Sequence, residues 1–254
     1  MLDSLGLLLT NTSSEPTSVY KTSRIFPAIA SISESTTSAP LAHFTPNILE
    51  LQEAFEQAES EEYSLTSQPY WWSFVDNLSL GAAFRNDLDL LARKLVNDAD
   101  SSLGTLEFLT SQGLAQRAVH LLPFFQHIWI KCGVHGVVGV MHVPASLAAS
   151  EGLANQRTNI SKRCVIAHGK NGDVIVLKHF PAFHAESIVN VTGAGDSFVG
   201  ALLAGMASEG KRIYGLQGLE RVVNTAQKAA VLSLQSHEAV SPLVSQMAAL
   251  PLKA

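Results

Sequence analysis

Hydrophobic positions along the chain change period twice, and each change predicts a different kind of element. An apolar stretch at Leu5–Leu9 reads as a buried strand. The composition then turns polar: 15 of residues 10–45 are Ser or Thr. Such residues compete for local backbone hydrogen bonds and predict loops around one short helix near Ser18–Phe26. Thr45-Pro46-Asn47 opens a helix with Ile48, Leu51 and Phe55 on one face and an acidic run near Glu59–Glu62 at its end. Trp71, Trp72, Phe74 and Val75 begin a further amphipathic segment that continues through Leu88, Leu91 and Leu95. After a polar break at 97–101, a second helix is predicted over about Ser102–Leu122.

From residue 127 the pattern alternates. His127–Lys131 and Val137–Val143 read as strands joined by Cys132-Gly133-Val134-His135-Gly136, and Arg163–Ala167 with Asp173–His179 as a second pair around Lys170-Asn171-Gly172. Asn-Gly between two apolar runs is a strong hairpin signal. Pro144–Lys162, between the pairs, is polar and loop-like. Helical spacing returns over Ala194–Ser208, about Leu216–Gln235 and a short piece at Leu243–Leu250. No internal repeat is present.

Composition then narrows the function classes. With 46% hydrophobic and 15% charged residues, the 254-residue chain is globular, and its length allows one large or two small domains. Its net charge is −5, and no run of four basic residues occurs, which argues against nucleic acid or an anionic membrane as the primary partner. Cys132 and Cys164 lie in apolar runs without zinc spacing, so neither a disulfide framework nor a structural metal is expected. The start Met1-Leu2-Asp3-Ser4 has an acid where a leader carries bases, and no targeting segment is read there. Leu121–Val143 is interrupted by Gln126, His127, Lys131, His135 and His142, too polar for a membrane span. A soluble, cytoplasmic protein is expected.

One string carries chemistry. In Asn190-Val191-Thr192-Gly193-Ala194-Gly195-Asp196-Ser197-Phe198, a glycine-rich turn leads directly into an apolar helix whose inward positions are Phe198, Leu202, Leu203 and Met206. Unpaired N–H groups at a helix start, reinforced by the macrodipole, suit a phosphate. A carboxylate at Asp196, in the first turn, is placed to accept the proton of an attacking hydroxyl. The alternative is a plain glycine-turn helix start in which Asp196 complements the dipole.

The string Thr-Gly-Ala-Gly-Asp resembles the signature near the C-terminus of the ribokinase-like (PfkB) family of sugar and nucleoside kinases, and the resemblance runs from about residue 5 to 242. Thr45-Pro46-Asn47-Ile48-Leu49-Glu50 is similar to the family's Asn-x-x-Glu element, which implies that Asn47 and Glu50 help organise magnesium. Lys131-Cys132-Gly133-Val134-His135-Gly136 resembles the strand–turn–strand that closes over the nucleotide, implying nucleotide contacts at Lys131, Gly133 and Gly136. Thr225–Pro242 resembles the last nucleotide-side helix and loop, with Asn224 at the edge of the adenine site. By the same resemblance, Gly193, Ala194 and Gly195 form an anion hole and Asp196 is the catalytic base. The resemblance also implies a monovalent cation beside Asn190 and Thr192, but Asn190 stands where the family has an acid, which puts potassium activation in question.

The resemblance implies an α/β fold, the three-layer α/β/α ribokinase-like architecture with a mainly parallel sheet, shortened on the N-terminal, sugar-binding side. It also implies ATP and Mg2+ as cofactors and a nucleoside or sugar as substrate. Ser13–Ser18 and Thr45-Pro46-Asn47 look most like pseudouridine kinases, a branch often fused to a glycosidase, so an oligomer or a fused partner domain is compatible. The alternative is a catalytically impaired kinase remnant that binds nucleotide or a partner chain.

Overall fold

The computed structural model describes residues 13–15, 18–33, 39–98 and 100–248, so the strand expected at 5–9 lies outside the described residues. The chain divides into two compact units, one ending at His179 and the other beginning at Phe180.

Among the described residues, the N-terminal unit has eight strands: β1 (Ser13–Ser14), β2 (Leu41–Phe44), β3 (Leu95–Asn97), β4 (Asp100–Thr105), β5 (Phe125–Lys131), β6 (Val137–Val143), β7 (Cys164–His168) and β8 (Val174–Phe180). Six of them form one sheet in the order β1-β2-β5-β6-β8-β7, and β3 pairs with β4 alone. β1, β2 and β5 run parallel to one another, whereas β5 with β6 and β7 with β8 are antiparallel. The sheet is therefore mixed rather than mainly parallel. Two of its neighbouring pairs are hairpins, and a connection as short as 132–136 or 169–173 only joins antiparallel strands; parallel ones need a crossover of a dozen residues or more.

Its helices are α1 (Val19–Thr22), α2 (Phe26–Ser33), α3 (Ile48–Glu59), α4 (Pro69–Leu78), α5 (Ala82–Ala92), α6 (Phe108–Ser111), α7 (Leu114–Leu121) and α8 (Ala145–Ser150). The core takes Phe26, Leu51, Leu91, Phe124 and Trp129 out of solvent, and the rings of Phe44 and Phe125 stack at 4.3 Å between neighbouring strands. Each such burial stabilises by about 1.5–3 kcal/mol. Trp71 is a core anchor whose indole N–H donates to the His120 carbonyl at 2.9 Å, while Trp72 is exposed.

Three sequence expectations change. The amphipathic stretch from Trp71 to Leu95 becomes two helices and the first residue of β3; the helices are separate because Ser79 turns left-handed at φ +52° and Gly81 caps a new start. The helix expected over Ser102–Leu122 gives way to β4 and two shorter helices. Asp100 turns its carboxylate onto the Ser102 N–H at 2.9 Å, Gly104 adopts φ +74°, and Arg163 donates to the Leu95 carbonyl and to Asp98 across the hairpin. Pro144–Lys162 is not all loop: α8 starts where the Asp173 carboxylate accepts the Ala145 N–H at 3.0 Å.

β7 is an edge strand with its outer side occupied. Asn159 exchanges backbone hydrogen bonds with Cys164 at 2.8 and 3.0 Å, and the Thr158 hydroxyl accepts the Ile166 N–H at 3.1 Å.

The C-terminal unit holds α9 (Ala194–Glu209), α10 (Leu216–Leu234) and α11 (Leu243–Ala248). α9 and α10 pack side by side, with Phe198, Leu202 and Met206 buried as their spacing predicts and Leu203 only half-buried. The helices pack tightly at Gly205, where a Cβ would stand 3.0 Å from a Val222 methyl. Buried Glu209 holds Arg212 and Arg221 at 3.1 and 3.2 Å, and the Arg221 hydrogen bonds draw its carboxyl below the usual range.

Candidate functional site

The chemistry-bearing residues lie in two groups, one in each unit. In the C-terminal unit, the stretch before α9 is tied to the end of α10. The N–H groups of Val189 and Asn190 both donate to the Leu234 carbonyl, at 2.7 and 3.2 Å. Asn190 folds its side chain back so that Oδ1 accepts the Thr192 N–H at 2.9 Å, and its Nδ2 donates to the His237 carbonyl at 3.4 Å. Satisfying the Thr192 donor fixes which way round the amide sits, because only the oxygen accepts.

Gly193 then turns the chain into the helix at φ +80°, ψ −6°. A side chain is excluded there twice. The left-handed conformation disfavours it, and a Cβ would lie 1.9 Å from the Ala239 carbonyl oxygen. Ser197 donates back to the Gly193 carbonyl at 2.9 Å as the first helical bond. The N–H groups of 194–196 precede any intrahelical acceptor and are the donors a helix start offers to an anion. Asp196 is exposed in that first turn, and Ala194 and Gly195 are half-buried.

Three serines lock this turn from behind. Ser233, fully buried on α10, shares a 2.7 Å hydrogen bond with the Ser197 hydroxyl and accepts the Ser241 N–H at 3.1 Å. Ser241 in turn caps α11 by accepting the Leu243 N–H at 3.3 Å. Sequence reasoning missed Ser233, His237, Ala239 and Ser241 as supports of the turn. The available signal was a serine in register with the apolar face Val222, Ala226 and Ala229 of α10. Asn224 is half-buried on α10, and one turn later Gln227 is buried with its amide nitrogen unpartnered among the described residues.

In the N-terminal unit, Asn47 caps α3. Its Oδ1 accepts the Glu50 N–H at 2.9 Å and Glu50 Oε2 accepts the Asn47 N–H at 2.8 Å. This reciprocal box stabilises the helix start by about 1 kcal/mol. It also explains why a carboxylate sits only 4% exposed at that position. The structure brings this element beside Lys131, whose N–H donates to the Pro46 carbonyl at 2.8 Å and whose ammonium pairs with Glu15 at 3.0 Å. Gly133–His135 form a single tight turn, closed by the Cys132 N–H on the Gly136 carbonyl at 2.8 Å, with Gly136 at φ +89°.

Half-buried His43 and buried His127 face each other Nδ1 to Nδ1 at 3.1 Å. Burial lowers His43 to about 4 and holds His127 well below its ordinary value. Burial likewise lowers His179 to about 4, and its Nε2 lies 2.7 Å from the His135 carbonyl, so that nitrogen carries the proton of a neutral ring. Among the described residues, no group of three or more His, Cys, Asp or Glu side chains is placed to hold a metal ion. Nor is any described helix long and apolar enough to cross a membrane.

Against known proteins, residues 130–246 match the model of the pfkB family carbohydrate kinases. A pseudouridine-metabolizing bifunctional protein of Schizosaccharomyces pombe is 28% identical over 234 residues, which cover 92% of this chain and 26% of that protein. A sugar-kinase-type structure from Clostridium perfringens is 15% identical with a TM-score of 0.43, covering 94% of this chain and 46% of that one. Ribokinase from Cryptococcus neoformans in complex with ADP is 13% identical with a TM-score of 0.42, covering 93% and 51%. The chain thus spans about a quarter of the curated relative and about half of these structures.

Proposed function

We infer, from the match of residues 130–246 to the model of the pfkB family of carbohydrate kinases, that the chain takes part in ATP-dependent phosphoryl transfer to a hydroxyl of a sugar or nucleoside. The observation that carries the reading is the Gly193 turn: a backbone anion site at the start of a 16-residue helix, with an exposed carboxylate in its first turn. In this reaction the acceptor oxygen attacks the γ-phosphorus as the bond to ADP breaks, and Asp196 takes the hydroxyl proton. The N–H groups of Gly193, Ala194 and Gly195 stabilise charge developing on the moving phosphoryl group.

Pseudouridine is the acceptor we propose, supported by the 28% identity to a protein whose name carries that nucleoside. Magnesium belongs to the proposal: Asn47 and Glu50 would hold it, in part through its waters, and it would supply positive charge beside the nucleotide phosphates. Mg2+ keeps most of its waters and asks a protein for only one or two carboxylates. Glu50 meets that requirement, because its cap uses one of about four lone-pair positions. Lys131, Gly133, Gly136 and Asn224 are the proposed nucleotide contacts, and a cytoplasmic location is part of the same reading.

Calorimetric titration with Mg·ATP and separately with pseudouridine tests it. Nucleotide binding is expected. Nucleoside binding with no nucleotide binding overturns the assignment, and nucleotide binding without transfer selects the impaired-remnant alternative.

A further inference from the structure

We propose that Asn190 replaces a monovalent cation at the glycine turn, so that the turn is set by a built-in amide and does not respond to potassium. The resemblance implies a monovalent cation beside Asn190 and Thr192, where the segment before Gly193 meets the loop after α10. The donor set here does not fit one. The Asn190 oxygen is committed to the Thr192 N–H at 2.9 Å, and what the side chain aims at the second loop is an N–H2 group, donating to the His237 carbonyl at 3.4 Å. That nitrogen carries partial positive charge and does to the carbonyl what a bound cation would do, without needing oxygens to converge.

The contact lies where the two segments are already pressed together. The Leu234 carbonyl takes two N–H groups from residues 189 and 190, and Gly193 fits against the Ala239 carbonyl so closely that a Cβ would lie 1.9 Å from its oxygen. A carboxylate at position 190 could keep the Thr192 hydrogen bond but would set an oxygen against the His237 carbonyl, two acceptors with nothing between them. A bound cation would relieve that. Asn190 is thus a positioning residue for the anion site. Its staple stands on geometry alone, while its consequence for phosphoryl transfer rests on the kinase reading.

The test uses the full chain as wild type, Asn190→Asp and Asn190→Ala, in potassium chloride and in choline chloride at equal ionic strength. Amide hydrogen exchange over residues 191–197 is the readout. Wild type is expected to exchange identically in both salts. Asn190→Asp should exchange about fivefold faster in choline, the size of one hydrogen bond of about 1 kcal/mol, and recover in potassium. Asn190→Ala should be faster in both and recover in neither, which a merely structural loss does not distinguish but the Asp variant does. Potassium-dependent exchange in wild type overturns the proposal even if neither variant folds, and an Asp variant indifferent to potassium overturns it as well. Mg·ATP titration of the same samples fails separately if the kinase reading is wrong.

Discussion

Ser233 touches Ser197 hydroxyl to hydroxyl at 2.7 Å, joining the last turn of one long helix of the C-terminal unit to the first turn of the other. Because Ser233 also takes the Ser241 N–H, one buried oxygen serves three separate stretches of chain. Ser233→Ala leaves a buried hydroxyl and a buried N–H without this partner. The expected cost is about 1–2 kcal/mol, or roughly 2–8 °C in melting temperature. A thermal melt unchanged from wild type would show that the serine cluster does not hold the turn.

Two glycines at positive φ separate strain from crowding. Gly113 has φ +64° with nothing within 4 Å of a Cβ, whereas Gly193 has φ +80° with a backbone oxygen 1.9 Å away. Gly113→Ala should cost about 1–2 kcal/mol, the left-handed penalty alone. Gly193→Ala adds overpacking of about 1–3 kcal/mol, and it should open the turn to proteolysis. Equal costs in chemical denaturation would contradict the close fit of the Ala239 loop.

Acid should unfold this protein through its histidines. Burial depresses His43 and His179 to about 4 and His127 well below 6.5, so between pH 6.5 and 4 the unfolded chain binds protons that the folded chain refuses. Stability is therefore complete above pH 6.5 and declines as pH falls through that window. For His179 alone, the shift corresponds to about 3 kcal/mol by pH 4. Urea midpoints across the range test this, and His179→Gln should flatten the slope.

Asp196→Asn should abolish phosphoryl transfer in a kinase extended to the full length of its relatives, while nucleotide affinity holds or rises. The amide keeps the volume but takes no proton, and general-base catalysis is worth ~10²–10⁴-fold in rate. Loss of a carboxylate beside phosphates also removes like-charge repulsion. A helix-capping role produces the reverse: near-normal turnover and a stability loss of about 0.3–1 kcal/mol.

Gln227 places an unpartnered amide nitrogen inside the α9–α10 unit, a group whose burial costs about 1–3 kcal/mol. Gln227→Met keeps the length without the donor and should raise the melting temperature. A lower one would assign the amide a partner that the fold requires.

Local chemistry was legible wherever one short segment decides its own conformation. The Asn171-Gly172 hairpin, the Asn47 cap with Glu50 and the glycine turn into α9 all appear where their residues announce them. What was not legible depends on partners distant in sequence. Residues 102–105 carry a helix-compatible pattern, yet Arg163 reaches across 68 positions to the Leu95 carbonyl and favours the hairpin. Likewise nothing near Asn190 foretells His237, nor anything near His43 its contact with His127 84 positions away. The candidate residues announce themselves in sequence; the scaffold around them does not.

The outer side of β7 has a consequence for self-association. A strand at the rim of a sheet ordinarily presents a ready seam on which a second copy can add a strand of its own, the first step towards fibrils. Here Asn159 and Thr158 have already taken the hydrogen bonds of Cys164 and Ile166. The chain has zipped that margin with its own loop, so sheet growth from this side first requires peeling residues 158–159 away.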